Sequence, residues 1–302
     1  MKIGVIASTD VCLPLLYHLA STKQQVCLFY AASSQPDVMY QVTSLCNNYR
    51  IPIVQSTSAE QVYEWADSYH PDIVFVTGYG QLIDENRFGS PKYGTFNIHF
   101  GALPNYRGPS PVFWQLKNGE KTIDVCIHKI TRKADAGPVV WRKSINNEQH
   151  YSYTYINQYL SNVLIEGVNF ILTCLFNGGK LSEFAQDETV AKYYSRPSLK
   201  DVMINWSTMK GEDIINLCMA CNNWNWGAIT TYKGAELKIL DATINTGQIV
   251  TTPGTVLCIN NEFTVACLDG SLSIHFMSMN GAFFAGRYAG KYGLMVDYLL
   301  GS

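Results

Sequence analysis

Residues 95–120, TFNIHFGALPNYRGPSPVFWQLKNGE, are the most informative stretch of this 302-residue chain. Asn97 and His99 stand two apart in an apolar, strand-like run, so both side chains point to one face of a strand. Leu103-Pro104 and Arg107-Gly108-Pro109 predict a stiff loop with a glycine pivot, and Asp135 follows in KADAG. An amide can donate a hydrogen bond to developing negative charge. An imidazole moves protons near neutrality, and a carboxylate can orient it. Each residue also has a bland reading: a turn asparagine beside a structural histidine, a surface arginine, a turn aspartate. Spacing alone supports only a ligand-binding edge of a sheet.

The elements that would position these groups alternate. KIGVIA, QVCLFYA, IPIV, PDIVFVTG and YGTFNIHF read as buried strands, with helical spacing over 10–21, 37–49 and 58–69. Continuous apolar strands between helices predict an α/β fold: a Rossmann-like, mostly parallel sheet with helices on both faces. The turn after the first strand, ASTDVCLP, lacks G-x-G-x-x-G, which argues against a dinucleotide site. Two more strands are expected over 122–130 and 137–145. A long helix over 151–177 should end at Asn177-Gly178-Gly179. From 182 the chain turns polar, and after a helix over 209–222 five short strands with Gly, Asn and Asp turns suggest a small OB-like β-barrel. The expected organisation is an N-terminal catalytic domain over 1–181, a linker over 182–205 and a C-terminal barrel over 206–302.

Composition bounds the rest. The chain is 47% hydrophobic and carries a net charge of −2, which fits a globular protein and argues against a general nucleic-acid binder. The nine cysteines are scattered through apolar stretches, so free buried thiols and a cytoplasmic location are expected. Cys218 and Cys221 form one C-x-x-C, read as core cysteines on an amphipathic helix; no metal site is expected. The chain opens directly on a strand, without a signal-peptide layout, and no segment approaches the ~20 apolar residues of a membrane span.

The combination Asn97-Ile98-His99, Leu103-Pro104, Tyr106-Arg107-Gly108 and Asp135-Ala136-Gly137 resembles the folate-dependent formyltransferases. That family includes methionyl-tRNA, glycinamide ribonucleotide and sugar N-formyltransferases. The resemblance continues through PSLKDVMINW, CNNWNWGAITTYKGAELKIL, PGTVL and VACLDGSLSI, so it covers nearly the whole chain. It departs at Gly101, where many members have serine, and at Ala102, often leucine. The resemblance implies a 10-formyltetrahydrofolate donor and acyl transfer, with Asn97 on the oxyanion, His99 moving protons and Asp135 orienting His99. It places the pterin against Gly78, Tyr79, Gly80, Gln81, Leu82 and Ile83, and against Thr131, Ala134 and Gly137. Tyr79, Gly101, Arg107 and Trp114 are the candidate acceptor contacts; the bland reading of Trp114 is helix packing.

The acceptor amine is the open point. Transfer-RNA formyltransferases carry a basic insertion after the second strand, whereas residues 31–50 here hold one basic residue, Arg50. From 198 to 302 there are six Lys/Arg against eight Asp/Glu, which counts against RNA phosphates. A nucleotide-linked amino sugar is the favoured acceptor, with methionyl-tRNA the runner-up. An amino-acid amine or hydroxylamine, or hydrolysis of the same folate, completes the alternatives. The sequence leaves the C-terminal domain three roles: a second ligand, a homodimer contact, or inheritance from a tRNA-binding ancestor.

Overall fold

The computed structural model describes residues 1–22, 24–31, 36–84, 86–88, 91–222, 225–245, 247 and 251–301. Part of the 31–50 stretch and of the CNNWNW motif lies outside them. The chain separates into two compact units, one of residues 1–111, 123–145 and 157–195, the other of 112–122, 146–156 and 196–302. The stretch expected as a linker, 182–205, is divided between them.

The first unit is built on β1 (Lys2–Ala7), β2 (Gln25–Ala31), β3 (Ile53–Ser56), β4 (Ile73–Thr77), β5 (Thr95–His99), β6 (Thr122–Lys129) and β7 (Val139–Asn146). Their order is β3-β2-β1-β4-β5-β6-β7. From β3 to β5 every pairing is parallel; β6 then runs antiparallel to β5. α1 (Leu13–Ser21), α2 (Pro36–Tyr49) and α3 (Gln61–Tyr69) supply the crossovers. The helix expected over 10–21 begins instead as a 3-10 turn, Asp10–Cys12, and Pro14 falls in the first turn of α1, where its missing N–H costs nothing.

Val62, Trp65 and Ala66 of α3 pack on Ile6, Phe29, Val74 and Val76 of the sheet. Gly4 makes this approach possible: a Cβ there would lie 2.8 Å from the Trp65 ring and 3.0 Å from Val74. Ile83 and Tyr79 join the same cluster, which anchors the loop after β4. α5 (Tyr153–Phe176) is long and apolar enough to cross a membrane, against the expectation that no segment approaches that length. Its Leu160, Val163, Leu164, Val168 and Ile171 recur at helical spacing and are buried, and Gly167 lies against Ile127 of β6 and Trp141 of β7. The apolar stripe is a sheet-covering face.

In the second unit, α4 (Pro111–Lys117, from Val112), α6 (Leu199–Val202) and α7 (Gly211–Cys221) accompany an antiparallel sheet. Its strands are β8 (Ala228–Tyr232), β9 (Ala235–Asn245), β10 (Val256–Cys258), β11 (Phe263–Cys267), β12 (Gly270–Met279) and β13 (Ala282–Ala285). The order is β10-β11-β12-β9-β8, with β13 on β12. β13 is additional to the five strands expected. It pairs Ala282 with Met279 across Asn280-Gly281, both at positive φ, a two-residue hairpin turn of the Asn-Gly type. Cys218 and Cys221 are buried on α7; burial holds both thiols protonated, pushing Cys221 up to about 12.

Gly4→Val should lower unfolding free energy by about 1–3 kcal/mol through overpacking against Trp65. Urea denaturation followed by tryptophan fluorescence measures it, with the m-value unchanged.

Candidate active site

β5 carries Asn97 and His99 on one face, and its antiparallel partner puts His128 directly opposite Asn97. Asp135 comes from the loop joining β6 to β7. The Asn97 amide nitrogen lies 3.2 Å from Asp135 Oδ1 and 3.1 Å from His128 Nε2. His99 and His128 each hold a carboxylate contact in reserve, with His99 Nδ1 and His128 Nε2 both 3.6 Å from Asp135 Oδ1. The other ring nitrogens face main-chain carbonyls: His99 Nε2 lies 2.7 Å from Tyr106 O, and His128 Nδ1 2.9 Å from Lys129 O. A carbonyl only accepts, so those nitrogens carry the protons. In neutral His99 the lone pair is therefore on Nδ1, facing the carboxylate. Asn97 spends both amide hydrogens, one on His128 and one on Asp135.

Burial pushes the His99 pKa down, against the Asp135 charge and the Tyr106 carbonyl, which pull it up. Burial alone would raise that of Asp135. Its neighbours His99 and His128 and the Gly108 N–H outweigh burial and hold the carboxyl well below the usual carboxylate range. The site thus pairs a neutral base with a fixed negative charge.

Asp135 sits at φ +53°, a conformation side chains rarely adopt. Gly108 N donates to its Oδ2 at 2.9 Å. Gly108 can do so because a Cβ there would fall 2.0 Å from Tyr194 O, at φ +114°. Two residues on from Asp135, a Cβ at Gly137 would fall 1.8 Å from Lys129 O. Arg107 is 2% exposed. Its guanidinium donates to Gln186 Oε1 and to Glu188, so as a candidate acceptor contact it is turned into the protein and already paired. Gly101 is buried beneath His99: a Cβ there would lie 2.7 Å from Nε2 and 2.8 Å from Tyr106 O.

The loop 78–83 lies beyond the C-terminal end of β4. Tyr79 packs edge-on against Phe29, its ring centroid 6.4 Å away, and Ile83 is buried, while Leu82 is 71% exposed. Gly78, at φ +59°, accepts from Ser8 Oγ. Thr131 Oγ1 closes its own turn on Lys133 O, and Ala134 lines an open cavity of about 210 Å³ with Arg107, Lys133, Glu188, Lys192 and Tyr193. Trp114 belongs to the second unit, where the Lys117 ammonium stands 5.1 Å over its ring.

The formyl transferase pattern matches residues 22–166, and the formyl transferase C-terminal domain pattern matches residues 198–282. The chain belongs to the formyl transferase family. It is 30% identical over 194 residues to the methionyl-tRNA formyltransferase of Thermotoga neapolitana, covering 64% of this chain and 61% of that protein. The fold matches HypX from Aquifex aeolicus with a TM-score of 0.69 and 17% identity, over 98% of this chain but 48% of HypX. It also matches an N-formyltransferase from Helicobacter canadensis with a TM-score of 0.66 and 19% identity, over 91% of this chain and 98% of that one. The chain therefore spans about half to two thirds of the length of some relatives and nearly all of another.

In this formyl transferase two contributors to the site had no place in the sequence reading. His128 was visible as the histidine in the apolar strand DVCIHK, but nothing in the sequence says which residue it faces across the sheet. Gln186 lies in the polar stretch with no periodicity, and only the folded chain brings it to Asp135.

By NMR, His99 should titrate below about 6.5, and Asp135→Asn should lower its midpoint further, because the lost charge is what favours the imidazolium. Gly101→Ser should push the His99 ring off the Tyr106 carbonyl and cost about 1–3 kcal/mol of stability, readable by thermal unfolding and a crystal structure.

Proposed function

We propose that this protein moves a formyl group from 10-formyltetrahydrofolate to the amine of a nucleotide-linked amino sugar in the cytoplasm. The observation that carries this reading is the Asn97–His99–Asp135 cluster, a neutral imidazole and a fixed carboxylate on one face at a sheet edge. Two structural relatives support the donor: HypX was crystallised with tetrahydrofolic acid, and the Helicobacter canadensis protein with folinic acid and dTDP-3-aminofucose.

The residues present fit such a donor. A pteridine needs main-chain donors and acceptors beside an apolar face. Among the described residues, the main chain of Gly80, Gln81 and Leu82 makes no hydrogen bond within the chain, and the Leu82 side chain is largely exposed. Gly78 to Ile83 would hold one edge, with Thr131, Ala134 and Gly137 opposite. When bound, 10-formyltetrahydrofolate supplies the formyl carbonyl.

The bookkeeping of the transfer is simple. A bond forms from the acceptor nitrogen to the formyl carbon, and the bond from that carbon to the folate nitrogen breaks. The amine loses one proton and the folate nitrogen gains one. His99 Nδ1 is the atom that can hold this proton, and Asp135, 3.6 Å away, balances the imidazolium. Asn97 can stabilise the oxyanion by exchanging its longer bond, to Asp135, for one to the charged oxygen. Lys192 at the open cavity, and Lys133 on leaving its partner Glu188, would offer ammonium groups to an acceptor diphosphate.

A transfer-RNA acceptor is the second reading, favoured by the Thermotoga neapolitana relative. The six Lys/Arg against eight Asp/Glu from 198 to 302 weigh against it. Incubation with 10-formyltetrahydrofolate and a panel of nucleotide amino sugars should give a formylated product by mass. Formylation of methionyl-tRNA alone would replace the sugar by RNA. Asn97→Ala, His99→Ala and Asp135→Ala should each lower kcat by roughly 10²–10⁴-fold with the fold retained. Normal turnover by His99→Ala would reject the mechanism.

A further inference from the structure

The segment from 184 to 194 is exposed for most of its length, yet it is tied to the first unit at both ends. Phe184 exchanges two main-chain hydrogen bonds with Val139, each 2.9 Å. Lys192 O accepts from Arg107 N at 3.0 Å, and Tyr194 N donates to Arg107 O at 2.8 Å. The Tyr194 ring stacks on Tyr106 with centroids 5.2 Å apart. Between these anchors, one half-buried side chain turns inward. Gln186 Nε2 donates to Asp135 O at 2.8 Å and to Gly137 O at 2.7 Å. Gln186 Oε1 accepts from Arg107 Nε at 3.1 Å and from its Nη2 at 2.9 Å.

We propose that Gln186 is the positioning residue of the site, its carboxamide locking the Asp135 loop to the Arg107-Gly108 loop so that the Asp135 carboxylate is held against His99. The inference rests on the formyl-transfer reading for its kinetic consequence, though not for its geometry.

Three features carry it. The two loops that the carboxamide joins are the same two joined by the Gly108 N–H to Asp135 Oδ2, so one contact fixes the main chain and the other the carboxylate. The Asp135 backbone is at φ +53°, which surroundings must enforce, and Gln186 holds the carbonyl of that residue. The carboxamide is matched on both sides: two acceptors lie on the loop and two donors on Arg107. Only an amide of this length satisfies all four. Methionine satisfies none, and a glutamate would keep Arg107 while placing a carboxylate against two carbonyls. The buried Arg107 is then an anchor for the carboxamide, which accounts for the inward direction of its guanidinium.

Gln186→Met is neutral and similar in size, and it tests the link. The groups facing His99 are Asp135 and His128, so release of Asp135 should lower the His99 NMR midpoint in the free protein. In turnover, kcat should fall roughly tenfold to hundredfold, since misplacement of about 1 Å costs that much, while KM for both substrates stays within about twofold. Gln186→Glu keeps the Arg107 anchor and should show the same kcat loss with a melting temperature near the parent's, which covers the case of a poorly folded Gln186→Met. A folded Gln186→Met with the parent's His99 midpoint and kcat overturns the proposal. So does a loss confined to KM, or one that tracks melting temperature across both variants. If no formyl transfer is found with any acceptor, the His99 midpoint still decides the positioning role, and the failure then belongs to the proposed reaction.

Discussion

A largely buried carboxylate, that of Asp135, is the constraint from which most of the first unit's loop architecture follows. An isolated charge moved out of water costs several kcal/mol unless its oxygens are satisfied. Asp135 meets that demand with the Gly108 N–H and the Asn97 amide, two histidine rings stand 3.6 Å away to attract it when protonated, and its pKa drops accordingly. Each of those partners must arrive from a different part of the chain. β5 delivers Asn97 and His99, β6 delivers His128, and the loop after β5 delivers Gly108.

The glycines and the polar strap are consequences of that convergence. Gly108 and Gly137 stand where main chains approach too closely for a side chain. Gly101 clears the space in which His99 reaches the Tyr106 carbonyl, which fixes the tautomer and leaves Nδ1 toward Asp135. The base is therefore defined by a missing side chain as much as by the imidazole itself. Arg107, itself buried, belongs to the same framework: its charge is matched by the half-buried Gln186 and the exposed Glu188.

The parallel sheet gives this framework its rigidity. Strands buried on both faces have no solvent side on which to relax, and α3 and α5 close those faces through Trp65 against Gly4 and through Gly167 against Trp141. The loops that carry chemistry leave from strand ends whose positions are set by this packing, so small loop contacts can define the site.

The alternation of apolar strands and amphipathic helices was legible in the residues because each element's periodicity is local. So were Asn97, His99 and Asp135, whose motif context carried the family. The sixth strand of the second unit was also written locally, in Asn280-Gly281, though the short run after it gave little pattern. The strand order, the switch to antiparallel pairing at β6 and the pairing of His128 with Asn97 depend on long-range register, which no local pattern encodes. α5 is long and apolar enough for a span that its residues did not suggest, and its packing against Ile127 and Trp141 gives the apolar stripe a sheet to cover. Arg107 looked like a ligand contact from its motif, and only the tertiary structure turned it inward. Its partner Gln186 lies 79 residues away in a stretch without periodicity, and hydrogen bonds between such segments exist only once the chain has folded.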